Sequence, residues 1–150
     1  MTVAPVGKIL ALCISDKKSQ KRIFVDAIKV DKKGILGDKF YDKDIKRSIL
    51  ITSKESYLLV EKEGIQMPDG ALGENIMIDY NPYHLPSGAK VKIGSAVLQI
   101  SQNCTICGHL SSIDKRLPTL LKDDRGIFAQ VIQEGEICKD DHIFIIEELS

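Results

Sequence analysis

Two cysteines and one histidine lie close together in the string Cys104-x-x-Cys107-x-His109. The string follows an alternating apolar segment, Ala96 to Ser101, that predicts a β-strand. Strand ends that pass into loops are frequent active-site positions, because the sheet fixes the backbone while the loop leaves the side chains accessible. These residues could therefore provide a thiolate nucleophile or a persulfide sulfur carrier, with His109 as the nearby cation that such a thiolate needs.

The same string has two other chemical interpretations and one structural interpretation. Thiolates and imidazoles are preferred zinc ligands, so the three residues could bind zinc together with Cys138 or His142. A redox dithiol is the least favoured chemistry, because a CxxC of that class opens a helix in an α/β fold. Cysteines are also often buried as small apolar residues, and Cys13, inside an apolar segment, is expected to be one of these.

A second group of candidates could bind an anion. Arginine is rare in this lysine-rich chain, and both Arg47 and Arg125 precede apolar segments that predict strands. A guanidinium there can bind phosphate through two parallel hydrogen bonds, or it can be an ordinary surface charge. Lys39 has the same two interpretations. Glu74 and Asn75 either hydrogen-bond the backbone of a turn or line a site.

The elements that must position these side chains are mostly strands. Turn residues recur about every ten positions, and the apolar residues between them alternate or form short blocks. Strands are predicted from Phe24 to Val30 and from Ser48 to Thr52, and a hairpin is predicted around Gly94 and Ser95. Many short strands favour a closed or nearly closed β-barrel, which also removes exposed edges.

One clear helix and some irregular turns complete the predicted fold. Thr52 and Glu55 have the spacing of a capping box, and Gly64 suits the end of the helix that would follow. Residues 104–124 interrupt the strand pattern, and any helical turns there are expected to be broken before Pro118. The fold class is therefore mainly β, with one helix and short helical excursions.

Length and composition restrict the function classes. A chain of 150 residues predicts a single domain spanning residues 1–150. Its 21 basic and 21 acidic residues cancel, so neither nucleic acid nor a membrane is an expected partner. Four scattered cysteines and an N-terminus unlike a secretory signal indicate a reducing cytoplasm. The phosphate-loop, dinucleotide, zinc-protease and serine-hydrolase motifs do not occur.

Several short strings, in order, resemble those of the MOSC domain, the module named for the C-terminal region of molybdenum cofactor sulfurases. The resemblance extends over most of the chain, and it implies the compact β-barrel of that family. The matching strings are GILGD (34–38), RSIL (47–50), GENI (73–76), LPSGA (85–89), IGSA (93–96), RGIFAQV (125–131), and GEI (135–137) with DDHI (140–143).

The resemblance also implies a function. The position of the family's characteristic cysteine, counted from the strand end at Gln102, falls on Cys107 rather than Cys104. Cys107 would handle sulfur or ligate molybdenum, and the basic residues would bind the phosphate and oxo groups of the molybdenum cofactor. The expected partners are a cysteine desulfurase or molybdenum cofactor enzymes. Pyridoxal phosphate is not expected on this chain, since 150 residues cannot include the desulfurase domain.

Two rival functions remain open at the level of sequence. Some MOSC proteins are molybdenum-dependent reductases of N-hydroxylated compounds, and this chain would need a partner reductase for that activity. The other rival is a small zinc-binding module without catalysis. The sequence leaves open whether the protein is an enzyme.

Overall fold

The computed structural model describes residues 4–19, 21–105 and 110–146, which form a mainly β fold. Within these ranges, two helices and two 3-10 turns interrupt the strands. The strands are β1 (Gly7–Ser15), β2 (Arg22–Val25), β3 (Ala27–Asp31), β4 (Gly34–Ile35), β5 (Ile49–Ser53), β6 (Ile76–Ile78), β7 (Lys90–Ile93), β8 (Ala96–Asn103), β9 (Ile127–Gln133), β10 (Gly135–Cys138) and β11 (His142–Ile146). The helices are α1 (Lys54–Glu61) and α2 (Leu117–Leu120), and the 3-10 turns are Ile45–Arg47 and Leu110–Ser112.

Seven of these strands form a closed barrel, in the order β11-β7-β8-β9-β5-β6-β1. The barrel closes where Gly7 of β1 pairs with Ile143 of β11. The neighbouring strands are antiparallel except β5 and β6, which run parallel with Ile51 opposite Ile76. The predicted fold class, a β-barrel with one clear helix, is confirmed.

The remaining strands lie outside this ring. Strand β2 continues the sheet beyond β1, and β10, β3 and β4 form a separate three-stranded sheet. The prediction of one strand from Phe24 to Val30 is wrong, because the chain changes sheets at Asp26. The Asp26 carbonyl accepts a hydrogen bond from Lys139 N–H at 2.8 Å, which ties the junction to the second sheet. Alternation predicts extended backbone but does not predict which strand will be its neighbour.

Two clusters of buried apolar side chains form the core. Isoleucine, valine and leucine side chains fill the barrel, and Ile9, Ile49, Ile76 and Leu98 are among those with no exposure. A second cluster packs α1 and the α2 region against the outside of the barrel. The β-branched residues that favour extended backbone are thus also the residues that fill the interior.

The predicted turns and helix start can be compared with the structure element by element. The hairpin of β7 and β8 turns at Gly94 and Ser95, as predicted. Helix α1 is capped by Ser53, whose Oγ accepts from Glu55 N–H at 3.1 Å, so the capping residue is one position later than predicted. Pro118 lies in the first turn of α2 instead of ending a helix, since proline needs no N–H donor there. In the described residues, no helix has the length and apolar composition needed to cross a bilayer.

Candidate functional site

A cavity of about 440 Å³ lies where β1 and β8 end and β6 and β9 begin. We call it the basic cavity. Five cationic side chains and a single carboxylate are found among the described residues that line it. The charged residues are Arg22, Lys39, Lys43, Arg47, Arg125 and Asp44; other lining residues include Phe40, Asn75, Cys104 and Phe128. The chain as a whole is neutral, so this concentration of positive charge is local.

Arg47 is positioned by the 3-10 turn before β5 and by an aromatic ring. Its guanidinium carbon lies 4.8 Å from the centroid of the Phe128 ring on β9, a cation-π contact. The Nε atom is buried and has no hydrogen-bond partner among the described residues. An unsatisfied buried donor is costly, so this N–H is suited to an anionic acceptor in the cavity.

Arg125 and Cys104 are held together by backbone contacts. The Arg125 side chain is 4% exposed, and one of its terminal nitrogens donates to the Leu72 carbonyl at 2.7 Å. The carbonyl of the next residue, Gly126, accepts from Cys104 N–H at 2.9 Å. Gly126 has φ of +143°, which an L side chain rarely adopts. This glycine lets the chain enter β9 close to the end of β8.

Of the three residues in the cysteine-histidine string, the structure describes only Cys104. Cys104 is 4% exposed and lines the basic cavity as a free thiol. Cys107 and His109 lie outside the described residues, so their roles stay predictions. Cys138 is a half-buried free thiol whose pKa is raised, first by burial and then by Asp141. Within the described ranges, no three His, Cys, Asp or Glu residues are grouped to hold a metal ion.

Lys39 reaches the cavity on a loop that Asp38 anchors. The Asp38 side chain is almost fully buried, and its two oxygens accept from Ser15 N–H at 2.8 Å and from Phe40 N–H at 3.1 Å. The Lys39 ammonium lies 5.0 Å from the centroid of the Phe40 ring. Asp38 therefore fixes the loop to the end of β1, while Lys39 and Phe40 provide the cavity wall.

Asn75 and Glu74 are adjacent but point to different regions. Asn75 lines the cavity, and its amide joins two strands by accepting from Leu50 N–H at 3.0 Å and donating to the Cys13 carbonyl at 3.2 Å. Glu74 is absent from the cavity lining. Its carboxylate accepts from the Thr52 hydroxyl at 2.5 Å and from the Tyr57 hydroxyl. Burial and the Glu74 charge raise the pKa of Tyr57.

The structure thus brings five predicted residues together and adds others. The cavity is shared by Lys39, Arg47, Asn75, Cys104 and Arg125.

Sequence reasoning missed four other lining residues: Arg22, Lys43, Phe40 and Phe128. The scarcity of arginine was a signal for Arg22, whose guanidinium donates to Ser15 Oγ at 3.0 Å and to the Glu74 carbonyl. Nothing in the sequence distinguishes the two phenylalanines, because their use depends on which cations lie opposite them.

Comparisons with known proteins agree with this architecture. A sequence model of the family described as "MOSC domain" matches residues 31–144. The structure is similar to YuaD from Bacillus subtilis, with a TM-score of 0.76, 20% identity, and coverage of 95% of this chain and 97% of that chain. YiiM from Escherichia coli gives a TM-score of 0.73 at 19% identity, covering 95% and 71%. YiiM from Geobacillus stearothermophilus gives 0.68 at 19% identity, covering 97% and 76%. No curated protein matches the sequence significantly.

Proposed function

This chain belongs to the MOSC domain family, and on that premise we propose that its basic cavity binds the molybdenum cofactor. We also propose that a cysteine, Cys107 or Cys104, carries sulfur or ligates the metal. The observation that carries the proposal is the group of cations around Arg47, whose buried Nε has no partner among the described residues, beside the Cys104 thiol.

The residues present fit the anionic part of this cofactor. Its phosphate and oxo groups are hard acceptors, which guanidinium and ammonium groups bind well. Arg47 offers an unsatisfied donor, and Lys39, Lys43 and Arg22 add positive charge around it. The cavity volume of about 440 Å³ is within the usual range for sites that bind small molecules. Phe40 and Phe128 provide apolar surface for the flat pterin ring.

The residues at the end of β8 fit the sulfur side of the proposal. A bound cofactor would supply a molybdenum centre, for which soft thiolate is a suitable ligand. Cys104 lies in the cavity wall, and Cys107 follows three residues later in the chain. Burial keeps water from the Cys104 thiol, which limits its oxidation. We favour Cys107 as the functional thiol, with Cys104 and His109 as its neighbours in the sequence.

In the carrier version, sulfur is transferred between thiols without net oxidation. The Cys107 thiolate attacks the terminal sulfur of a persulfide on a cysteine desulfurase. The sulfur-sulfur bond of the donor breaks, a new one forms on Cys107, and the donor cysteine leaves as a thiolate. The acceptor would be the cofactor or a molybdenum cofactor enzyme.

Elemental analysis of the purified protein tests cofactor binding. The protein is isolated without oxygen from cells that make abundant molybdenum cofactor, and molybdenum and zinc are measured. We expect near-stoichiometric molybdenum in the wild type and a loss of about tenfold or more in Arg47→Met. Arg116→Met is the matched control, because Arg116 pairs with Asp114 away from the cavity. Zinc in place of molybdenum, or equal molybdenum in both variants, would contradict the proposal.

Labelled sulfur tests the thiol. The protein is incubated with a desulfurase and cysteine that carries labelled sulfur, and protein-bound label is counted after gel filtration. Cys107→Ala is expected to lose the label and Cys104→Ala to keep most of it. The reverse result would transfer the role to Cys104, and label on the double variant would exclude the carrier version.

A further inference from the structure

Strand β2 is an exposed edge next to the basic cavity. It pairs with β1 on one side, and no strand within the described ranges pairs with its other side. Its two central residues are large and apolar, and Ile23 is 38% exposed while Phe24 is 59% exposed. Proteins usually protect such an edge, because its backbone groups can pair with another chain.

The hydrogen-bond pattern shows which backbone groups are available. Asp16 N–H donates to the Lys21 carbonyl at 2.8 Å, so these two residues form a bonded pair of the β1–β2 hairpin. Bonded and non-bonded pairs alternate along antiparallel strands. Arg22 and Phe24, opposite Ser15 and Cys13, therefore belong to non-bonded pairs. Their N–H and C=O groups point away from β1, toward the open edge.

The charge beside this edge is positive. The hairpin turn that precedes β2 contains Lys17, Lys18 and Lys21, and Arg22 begins the strand. Asp16 is the acidic residue of this turn, and its carboxylate already accepts from Ser19 N–H and Ser19 Oγ at 2.8 and 2.9 Å. Asp26 follows the far end of the strand. This distribution attracts acidic residues and opposes a second identical chain, which would bring the same charge.

We propose that the open edge of β2 binds an extended, acidic segment of a partner protein by adding it as a strand. Backbone groups of Arg22 and Phe24 would pair with the segment, while the lysines contact its acidic side chains. Arg22 also lines the basic cavity, so the segment would lie at the cavity itself. A role of this edge in sulfur or cofactor transfer rests on the function proposed above. The binding of an acidic strand to the edge does not.

The test uses a synthetic peptide of alternating glutamate and valine, blocked at both ends, with affinity measured by calorimetry. Phe24→Pro removes the outward N–H, and proline is tolerated on edge strands. Phe24→Ala is its matched control, which retains that N–H. We expect Phe24→Pro to weaken binding about tenfold relative to Phe24→Ala. A second pair of variants keeps the test valid if the proline variant does not fold.

That second pair alters charge without altering β2. The double variant Lys18→Glu with Lys21→Glu should reduce the affinity for the peptide about tenfold or more. The control double variant, Lys54→Glu with Lys62→Glu, lies on and just after α1 and should leave the affinity unchanged.

Equal binding of a lysine-valine peptide, or an equal effect of the two double variants, would overturn the proposal. Two other results would also overturn the proposal and identify a different partner for this edge. One is preferential binding to phosphatidylserine vesicles or to duplex DNA. The other is a dimer of this chain that Phe24→Pro dissociates. Peptide binding by protein that retains no molybdenum would separate this inference from the proposed function.

Discussion

The basic cavity contrasts with a larger depression beside α1, which we call the α1 groove. The α1 groove has a volume of about 670 Å³, against about 440 Å³ for the basic cavity. Its charged lining residues are Lys54, Glu61 and Asp69, and apolar side chains such as Leu10 and Met77 provide much of its surface. Tyr57, which also lines it, has its hydroxyl bonded to Glu74. Volume alone would therefore select the α1 groove instead of the proposed site.

The difference shows how a binding site can be recognised before its ligand is known. Bringing five cations together is electrostatically unfavourable unless an anion compensates them. Two buried side-chain atoms of the described residues have no partner: the donor Arg47 Nε in the basic cavity, and the acceptor Oε1 of Glu74, whose Oε2 bonds the Tyr57 hydroxyl near the α1 groove. A local excess of positive charge and an unsatisfied donor indicate a ligand better than empty space does.

The largest expected effect is on the free energy of unfolding. It appears when two glycines with positive φ, one beside each region, are compared. Gly126→Ala places a Cβ 2.9 Å from Leu50 Cδ1 at a φ of +143°, so overpacking and backbone strain add to about 3 kcal/mol lost from the free energy of unfolding. Gly64→Ala follows α1 in open space at φ +78° and should cost about 1 kcal/mol. Urea denaturation measures both. Equal losses in the two variants would show that the packing and backbone conformation at the start of β9 do not require glycine at position 126.

The second effect compares a satisfied polar group with an unsatisfied one. Tyr57→Phe removes a hydrogen bond to the buried Glu74 carboxylate and should lower the free energy of unfolding by about 2 kcal/mol. Arg47→Met loses a contact with Phe128 but no hydrogen bond at Nε, so about 1 kcal/mol or less is expected. Thermal denaturation of both variants provides the measurement. A larger loss in Arg47→Met would mean that Arg47 has a structural role in the fold.

The third effect tests the electrostatic contrast with a simple anion. Molybdate at ten times its dissociation constant should raise the free energy of unfolding by about 1.4 kcal/mol if it binds only the folded chain. We expect this gain to disappear in Arg47→Met and to persist in Lys54→Met, which alters the α1 groove. Chloride at the same ionic strength controls for general screening. Retention of the gain in Arg47→Met would place the anion elsewhere.

The smallest effect concerns Cys13, whose carbonyl accepts from Asn75 behind the basic cavity. Burial raises the pKa of its thiol above the ordinary value, although nearby Arg22 opposes the shift. The unfolded thiol therefore ionises first as pH rises, and the wild type loses stability relative to Cys13→Ala above pH about 8.5. Below that pH the difference between the two proteins should be constant. Urea denaturation at several pH values measures it, and a constant difference at all pH values would contradict this account.

The sequence predicted some elements well because their signals are local. Gly94 and Ser95 make a two-residue hairpin turn, and the alternating residues on either side pair in register. The helix start was one residue early, because Ser53 caps α1 while the Thr52 hydroxyl donates to Glu74. Ser53 is also a residue type that caps helices, although only Thr52 has the capping-box spacing to Glu55, and the position of Glu74 in the fold decides between them.

The site was less accessible to sequence reasoning. Arg47, Arg125 and Lys39 were identified by residue type and position, and all three line the basic cavity. Glu74 and Asn75 were treated as equivalent, yet only Asn75 faces the cavity. Their directions depend on strands β1 and β5, to which the Asn75 amide bonds. No local pattern specifies those partners.

By itself, the sequence determined the mainly β class, the hairpin around Gly94, and the family, because turn residues, alternation and short motifs act over a few neighbouring positions. The tertiary structure alone decided that the chain changes sheets at Asp26 and that Arg22 joins Arg47 and Arg125 around one cavity. These outcomes depend on strand pairings between residues far apart in the chain, such as Leu50 with Phe128 in the barrel and Ile28 with Ile137 in the second sheet. A local pattern cannot encode such pairings, because each depends on where a distant segment lies in the fold.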